Sequence, residues 1–188
     1  MSDEDGNEED GNEVRYAQMM KMANEYREQF PDVKHITAEE AMKRENVIFV
    51  DTRTEEERGV SMIENAIDVE EFERKIDKMN DCDVVCYCTI GYRSSMYVRQ
   101  KIASNVDSSR SLRYYNLHGS VLAWTHAGGR LVDPKTGETY KRVHTFGPKW
   151  ACAETSHEQI QFDQPVMAGF IWYMKSIYRR ASSFFFSS

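Results

Sequence analysis

The run Cys88-Thr89-Ile90-Gly91-Tyr92-Arg93-Ser94 is the part of this chain whose residue types and spacing can do chemistry. It follows the apolar run Val84-Val85-Cys86-Tyr87, which reads as a buried strand. It precedes a helical pattern carried by Met96, Val98, Ile102 and Ala103. Loops at the carboxyl ends of parallel strands form ligand sites. The helix beginning near Ser94 turns its unpaired N–H groups back toward the loop. If the loop wraps around the sulfur, its successive amides form an anion-binding nest. Gly91 permits a backbone turn that a β-carbon obstructs, and Arg93 adds a positive charge. Each of these effects favours thiolate over thiol, and the thiolate is the nucleophile. A free cysteine titrates near ~8.5, and such surroundings bring it to ~7 or below. The same nest suits the terminal sulfur of a persulfide anion.

Several elements must position this loop. Thr37 with Glu40, and Thr54 with Glu57, are capping-box patterns that open short helices, the first over about 38–45. Val47-Ile48-Phe49-Val50 is a continuous apolar run, as in a strand buried on both faces. Ala66-Ile67 gives a further short strand. Val69, Phe72, Ile76 and Met79 mark a helix, Arg113-Tyr114-Tyr115-Asn116 a strand, and residues 121–127 a short helix ended by Gly128-Gly129. Strands alternating with helices argue for a parallel α/β sheet. Leu131-Val132 and residues 139–143 flank Asp133-Pro134-Lys135-Thr136-Gly137, which is turn chemistry, so a C-terminal hairpin extension follows.

Outside this core the pattern changes. Residues 1–13 hold seven acids and no base, and are expected to form a disordered acidic tail. Tyr16, Met19, Met20, Ala23, Tyr26 and Phe30 recur at helical spacing, giving an amphipathic N-terminal helix over about 14–30 within a segment 14–33 that ends near Pro31. The body of the domain then spans 34–150. Residues 151–188 form a C-terminal extension, in which Pro165 opens an amphipathic helix carrying Val166, Met167, Phe170, Ile171, Met174, Ile177 and Tyr178 on one face. The stretch 165–186 either packs on the domain or docks on a protein or membrane surface. Arg179-Arg180-Ala181-Ser182 has the look of a basophilic kinase site.

The 188 residues suit one domain of about 100–150 residues with extensions. The net charge of −7 resides in the first thirteen residues, and the remainder is balanced. No basic face supports nucleic-acid binding. No apolar run reaches the ~18 residues of a membrane span, and no charged-then-apolar leader opens the chain. Three of the four cysteines, Cys82, Cys86 and Cys88, crowd into seven residues. That spacing suits neither a disulfide framework nor a zinc site, so the expectation is a cytoplasmic protein with no metal and no cofactor.

Three segments together resemble one family. Residues 88–94 resemble the C-x-x-G-x-R-S loop of rhodanese-like sulfurtransferases. Val50-Asp51-Thr52-Arg53 resembles that family's D-x-R strand end. Asn116-Leu117-His118-Gly119-Ser120-Val121-Leu122-Ala123-Trp124, with Gly128-Gly129, resembles its N-L-x-G-G-x-x-x-W segment. They occur in family order over about residues 34–132, and the hairpin with residues 143–150 resembles an extension of some single-domain members. The resemblance implies that Cys88 takes sulfur from thiosulfate or a persulfide donor and passes it to a thiol, or to cyanide in an assay, by covalent catalysis. It implies a small open α/β domain whose central parallel sheet is flanked by helices, and it implies Thr89, Ile90, Gly91, Tyr92, Arg93 and Ser94 as the persulfide-binding loop, with Asp51 and Arg53 bracing it.

Some residues depart from the family. Ser61-Met62-Ile63-Glu64-Asn65-Ala66-Ile67 lacks the His, Pro and both Gly residues of the usual G-H-I-P-G-A-I segment, which we read as structural. Ser120 replaces the second Gly of its segment, a mild change. Thr89, Ile90 and Tyr92 bring no charge, which weighs against dianionic thiosulfate as the natural donor. Cys86 reads as a small core residue, Cys82 as the strand entrance, and Cys152 as a candidate second thiol. His118, His126 and His144 are candidates for the mouth of the site. Two other functions stay open on these residues. One is a non-catalytic or regulatory binding module on the same fold. The other is a cysteine-dependent phosphatase or arsenate reductase, although Cys88 to Arg93 spans C-x4-R, one residue short of the C-x5-R cradle those enzymes use.

Overall fold

The computed structural model describes residues 4–104 and 111–162, with side chains from residue 11 onward. The helix expected over 165–186 and the Arg179-Arg180-Ala181-Ser182 motif lie outside the described residues. The central sheet has five strands, all parallel: β1 (His35–Ile36), β2 (Val47–Asp51), β4 (Ile67–Asp68), β5 (Asp83–Tyr87) and β6 (Arg113–Leu117), in the order β1-β6-β5-β2-β4. The apolar runs of β2 and β5 lie side by side at its centre, as their burial on both faces requires.

Alternation along β5 sorts its side chains between two cores. Val85 and Tyr87 join Met19, Met22, Leu117, Leu122 and Trp124 on one face. Val84 and Cys86 join Phe30, Phe72, Tyr97, Val98 and Tyr114 on the other. The first face is covered by α1 (Glu4–Glu28), α2 (Ala38–Met42) and α6 (Ser120–His126), the second by α4 (Val69–Lys75) and α5 (Tyr92–Ser104). Fully burying a side chain such as Leu122 or Phe72 contributes about 1.5–3 kcal/mol. Both capping boxes form: Thr37 opens α2, and Thr54 opens α3 (Glu55–Arg58), each exchanging hydrogen bonds with the Glu three residues on.

The amino terminus differs from the sequence expectation. In place of a disordered tail over 1–13 and a separate helix over 14–30, one helix, α1, runs through Glu4–Glu28. Scarcity of apolar residues argues against burial, not against a helix, whose backbone bonds are internal. Local support comes from the extension: Arg15 donates to the Ala153 carbonyl, and Gly11 approaches Thr155. After Glu28 the chain turns through Phe30 and Val33, whose N–H groups bond to the Arg27 and Phe30 carbonyls.

The turn at residues 133–137 closes as its residue types require. Asp133 and Tyr140 donate to the Glu138 and Leu131 carbonyls, and Val132 bridges Thr139. Beyond it the pairing departs from a simple hairpin. β7 (Leu131–Val132) pairs antiparallel with β3 (Met62–Ile63). β8 (Arg142–His144) pairs in parallel with β9 (Glu158–Ile160), so a boundary at residue 150 cuts through a sheet. Sequence pattern marks a turn locally, whereas β9 lies fourteen residues downstream of β8 and carries no pattern that names its partner.

Candidate active site

Parallel register brings the carboxyl ends of β2, β5 and β6 together. Asp51 stands opposite Tyr87, and Cys86 opposite Asn116. The Tyr87 carbonyl, one residue before Cys88, accepts from both the N–H and the hydroxyl of Thr52, at 2.9 and 3.0 Å. On the other side the start of α6 holds the loop. Val121 N–H donates to the Cys88 carbonyl and Leu122 N–H to the Thr89 carbonyl. The loop is therefore fixed by strand ends and a helix start rather than by its own residues alone.

At the centre, Gly91 N–H points at Cys88 Sγ from 3.1 Å. The Ser94 hydroxyl lies 3.5 Å from the same sulfur, and the Ser94 N–H also faces it. Gly91 reaches this geometry at φ +116°, a backbone region open to glycine. A β-carbon there stands 3.2 Å from Asn116 Nδ2. Burial alone raises the Cys88 thiol. The Arg93 charge, the Ser94 hydroxyl and N–H and the Gly91 N–H outweigh it, so the thiol sits below the ordinary cysteine value.

Arg93 does not face the sulfur as a free cation. It makes a bidentate pair with Glu57, at 2.5 and 2.7 Å, with both side chains buried. Its Nη2 also donates to the Thr89 hydroxyl at 3.1 Å, and Phe146 covers its outer face at 5.2 Å. Burial raises the Glu57 carboxyl, but Arg93 and further donors pull it well below the carboxylate range. The sulfur thus feels Arg93 partly balanced by Glu57, while its direct partners are amides and a hydroxyl. The positive charge expected from Arg93 is present beside Cys88, with Glu57 as its partner.

Ile90 and Tyr92, the remaining loop residues, pack against other parts of the chain. Ile90 is buried in the core with Leu117 and Val121. Tyr92 turns outward, edge-on to Tyr26 and Phe30. Asp51 and Arg53 form a second, fully buried bidentate pair, and Arg53 also donates to the Ser61 carbonyl at 2.6 Å. This ties the strand end of β2 to the segment leading into β3.

Three residues at the site escaped the sequence reading. Glu57 was legible only as a capping residue. Ser120, a mild change by residue type, accepts the Cys88 N–H at 3.1 Å and lies 3.5 Å from Ser94 Oγ. Phe146 arrives from the extension. Of the three histidines, His144 alone comes near, its Nδ1 3.1 Å from Glu57 Oε1 in a pose poorly aligned for a hydrogen bond. His118 pairs with Asn24, and His126 with the Cys152 carbonyl. Cys82 and Cys152 are buried, and burial pushes both thiols up. Among the described residues no group of three or more His, Cys, Asp or Glu gathers as metal ligands, and no helix is long and apolar enough to cross a membrane.

The family model for the rhodanese-like domain matches residues 35–127. No curated protein matches the chain. Solved structures similar to it include a rhodanese-related protein from Thermoplasma volcanium, 21% identical, covering 53% of this chain and 97% of its own, with a TM-score of 0.43. A protein of unknown function from Rhodopseudomonas palustris, named as a possible tyrosine phosphatase, is 20% identical over 59% of this chain and 89% of its own, with a TM-score of 0.42. A thiosulfate sulfurtransferase from Pseudomonas aeruginosa is 19% identical over 65% of this chain but 23% of its own length, with a TM-score of 0.45. The D-x-R strand end, the cysteine loop and the Asn116–Trp124 segment all fall inside the matched region, and over residues 35–127 this chain is a rhodanese-like domain.

Proposed function

We propose that the protein is a sulfurtransferase that works through a persulfide on Cys88. The observation carrying this reading is the Gly91 N–H at 3.1 Å from Sγ, joined by Ser94, in a loop that lowers the thiol despite burial. The Cys88 thiolate attacks the outer sulfur of thiosulfate or of a persulfide. A new S–S bond forms as the donor's S–S bond breaks, and sulfite or a thiolate departs with the electron pair. An acceptor thiolate then attacks the outer sulfur of the Cys88 persulfide. Cys88 leaves as the thiolate it began as, so no oxidant is needed, and ping-pong kinetics follow. The absence of charge at Thr89, Ile90 and Tyr92 favours a persulfide over thiosulfate as donor. A reducing, cytoplasmic setting is part of the same proposal.

Phosphatase chemistry fits less well. It needs an arginine free to bind a tetrahedral oxyanion, whereas Arg93 is committed to Glu57 in a C-x4-R loop. A binding-module reading draws support from Cys88 being only 2% exposed, since a donor must displace some cover to reach it. One experiment separates the readings. The full chain is treated with thiosulfate or with a low-molecular-weight persulfide and mapped by mass spectrometry. Addition of one sulfur atom to Cys88, lost in Cys88→Ser and discharged by a thiol, supports the transferase. An unmodified Cys88 under both donors overturns it.

A further inference from the structure

Ser120 stands where the resembled family has glycine, and its backbone shows why glycine suits the place: φ is +54°, in the left-handed region. A serine is uncommon there and holds strain that glycine does not. The side chain is fully buried, so solvation offers no reason for a hydroxyl. Strained backbone persists where the surroundings use it.

The surroundings of the hydroxyl are those of the reactive sulfur. Its oxygen accepts the Cys88 N–H at 3.1 Å. Its single proton has three acceptors within reach: the Leu117 carbonyl at 3.2 Å, Ser94 Oγ at 3.5 Å and Cys88 Sγ at 4.0 Å. The Ser94 hydroxyl is itself 3.5 Å from Sγ. While the sulfur is neutral, the nearest acceptor, Leu117, holds the Ser120 proton. When the sulfur is charged, the Ser94 proton is drawn to it and the Ser94 oxygen becomes an acceptor. Ser120 then turns its proton to Ser94 or to the sulfur, and keeps the Cys88 N–H on a lone pair. A hydroxyl can make this change because its hydrogen rotates while its oxygen stays in place.

We infer that Ser120 is a positioning residue for Cys88: a hydroxyl held in a strained left-handed turn so that it supports, with Ser94, the negative charge on the sulfur. The inference rests on the sulfur-transfer reading and adds a residue to its site. Charge-assisted hydrogen bonds are stronger than neutral ones, so the support acts on the thiolate and persulfide anions more than on the thiol.

The test is ultraviolet titration of the Cys88 thiolate in the full chain, taken as the difference from Cys88→Ser, for the parent, Ser120→Gly and Ser120→Ala. Glycine suits the backbone and keeps the fold; alanine keeps the strain and loses only the hydroxyl. Both variants should raise the Cys88 midpoint by about one pH unit, a tenfold loss of thiolate near neutrality, and Ser120→Gly should melt above Ser120→Ala. A low parent midpoint unchanged in both variants, or moved in only one, overturns the role of the hydroxyl while leaving the transferase reading intact. A parent midpoint like that of an ordinary cysteine overturns both.

Discussion

Cys86 and Cys88 lie two residues apart, are 0% and 2% exposed, and are driven in opposite directions. Around Cys86, in mid-strand, stand Val50, Val84, Tyr97, Val98 and Tyr114. Burial dominates there, and the thiol is pushed far up, with Lys101 and Glu73 acting only from a distance. Around Cys88, just past the strand end, stand the Gly91 and Ser94 N–H groups, the Ser94 hydroxyl and Arg93, and the thiol is lowered. The Arg93 charge, then the Ser94 hydroxyl, then the loop amides make the difference. Inside a strand the amides are spent on the sheet ladder, while a loop turning into a helix has amides to spare. Burial sets how strongly a thiol responds to its neighbours, and the supply of donors sets the sign.

The largest effect that tests this contrast is chemical. Cys88→Ser should abolish sulfur uptake, whereas Cys86→Ala should retain it at near-parental rate, measured as thiol persulfide formed per chain. Equal loss in both variants breaks the contrast. Next in size is the pair that supports the loop. Glu57→Gln or Arg93→Met leaves a buried charge without its partner, and each should lower the unfolding free energy by about 3–5 kcal/mol in urea titration. In Arg93→Met the Cys88 midpoint should also rise.

Gly91→Ala comes third. A β-carbon at φ +116° and 3.2 Å from Asn116 Nδ2 should cost about 1–3 kcal/mol and displace the amide from the sulfur. Its signature is a raised Cys88 midpoint together with a lower melting temperature.

The smallest effect is in the pH dependence of stability, where the two thiols carry opposite signs. Cys88 is lower in the folded chain than in the unfolded one. Between those two values only the unfolded state keeps the proton, so stability rises with pH and the contribution is complete above the unfolded value. Cys86 is higher in the folded chain. Above the ordinary cysteine value the unfolded state alone ionises, so stability falls as pH rises. Urea midpoints taken across this range should lose the rise in Cys88→Ala and lose part of the alkaline fall in Cys86→Ala. Identical profiles for the two variants contradict the opposed shifts.

Local signals in the sequence carried much of this architecture. Thr37 and Thr54 announce their helices through the Glu three residues on, and the apolar runs of β2 and β5 announce a doubly covered sheet. The loop at Cys88 was legible because its glycine, arginine and cysteine stand within six residues. The partners that reach it from afar were not. Glu57 does two jobs, capping α3 and pairing with Arg93 thirty-six residues away, and sequence shows only the first. Ser120 looked interchangeable with glycine because one-dimensional spacing does not show a left-handed backbone or a hydroxyl folded back onto Cys88. Composition at the acidic amino terminus shows little to bury, yet the helix there continues into turns of α1 that bury Met19, Met22 and Ala23, a continuity that composition does not show.

The most direct test of the contrast is a thiolate titration of the intact chain by ultraviolet absorbance, resolved by subtracting Cys88→Ser and Cys86→Ser in turn. The account predicts a Cys88 midpoint below the ~8.5 of a free cysteine, and a Cys86 signal that does not emerge until the chain unfolds in alkali. A Cys88 midpoint at or above the free value, or the two thiols titrating together, contradicts it.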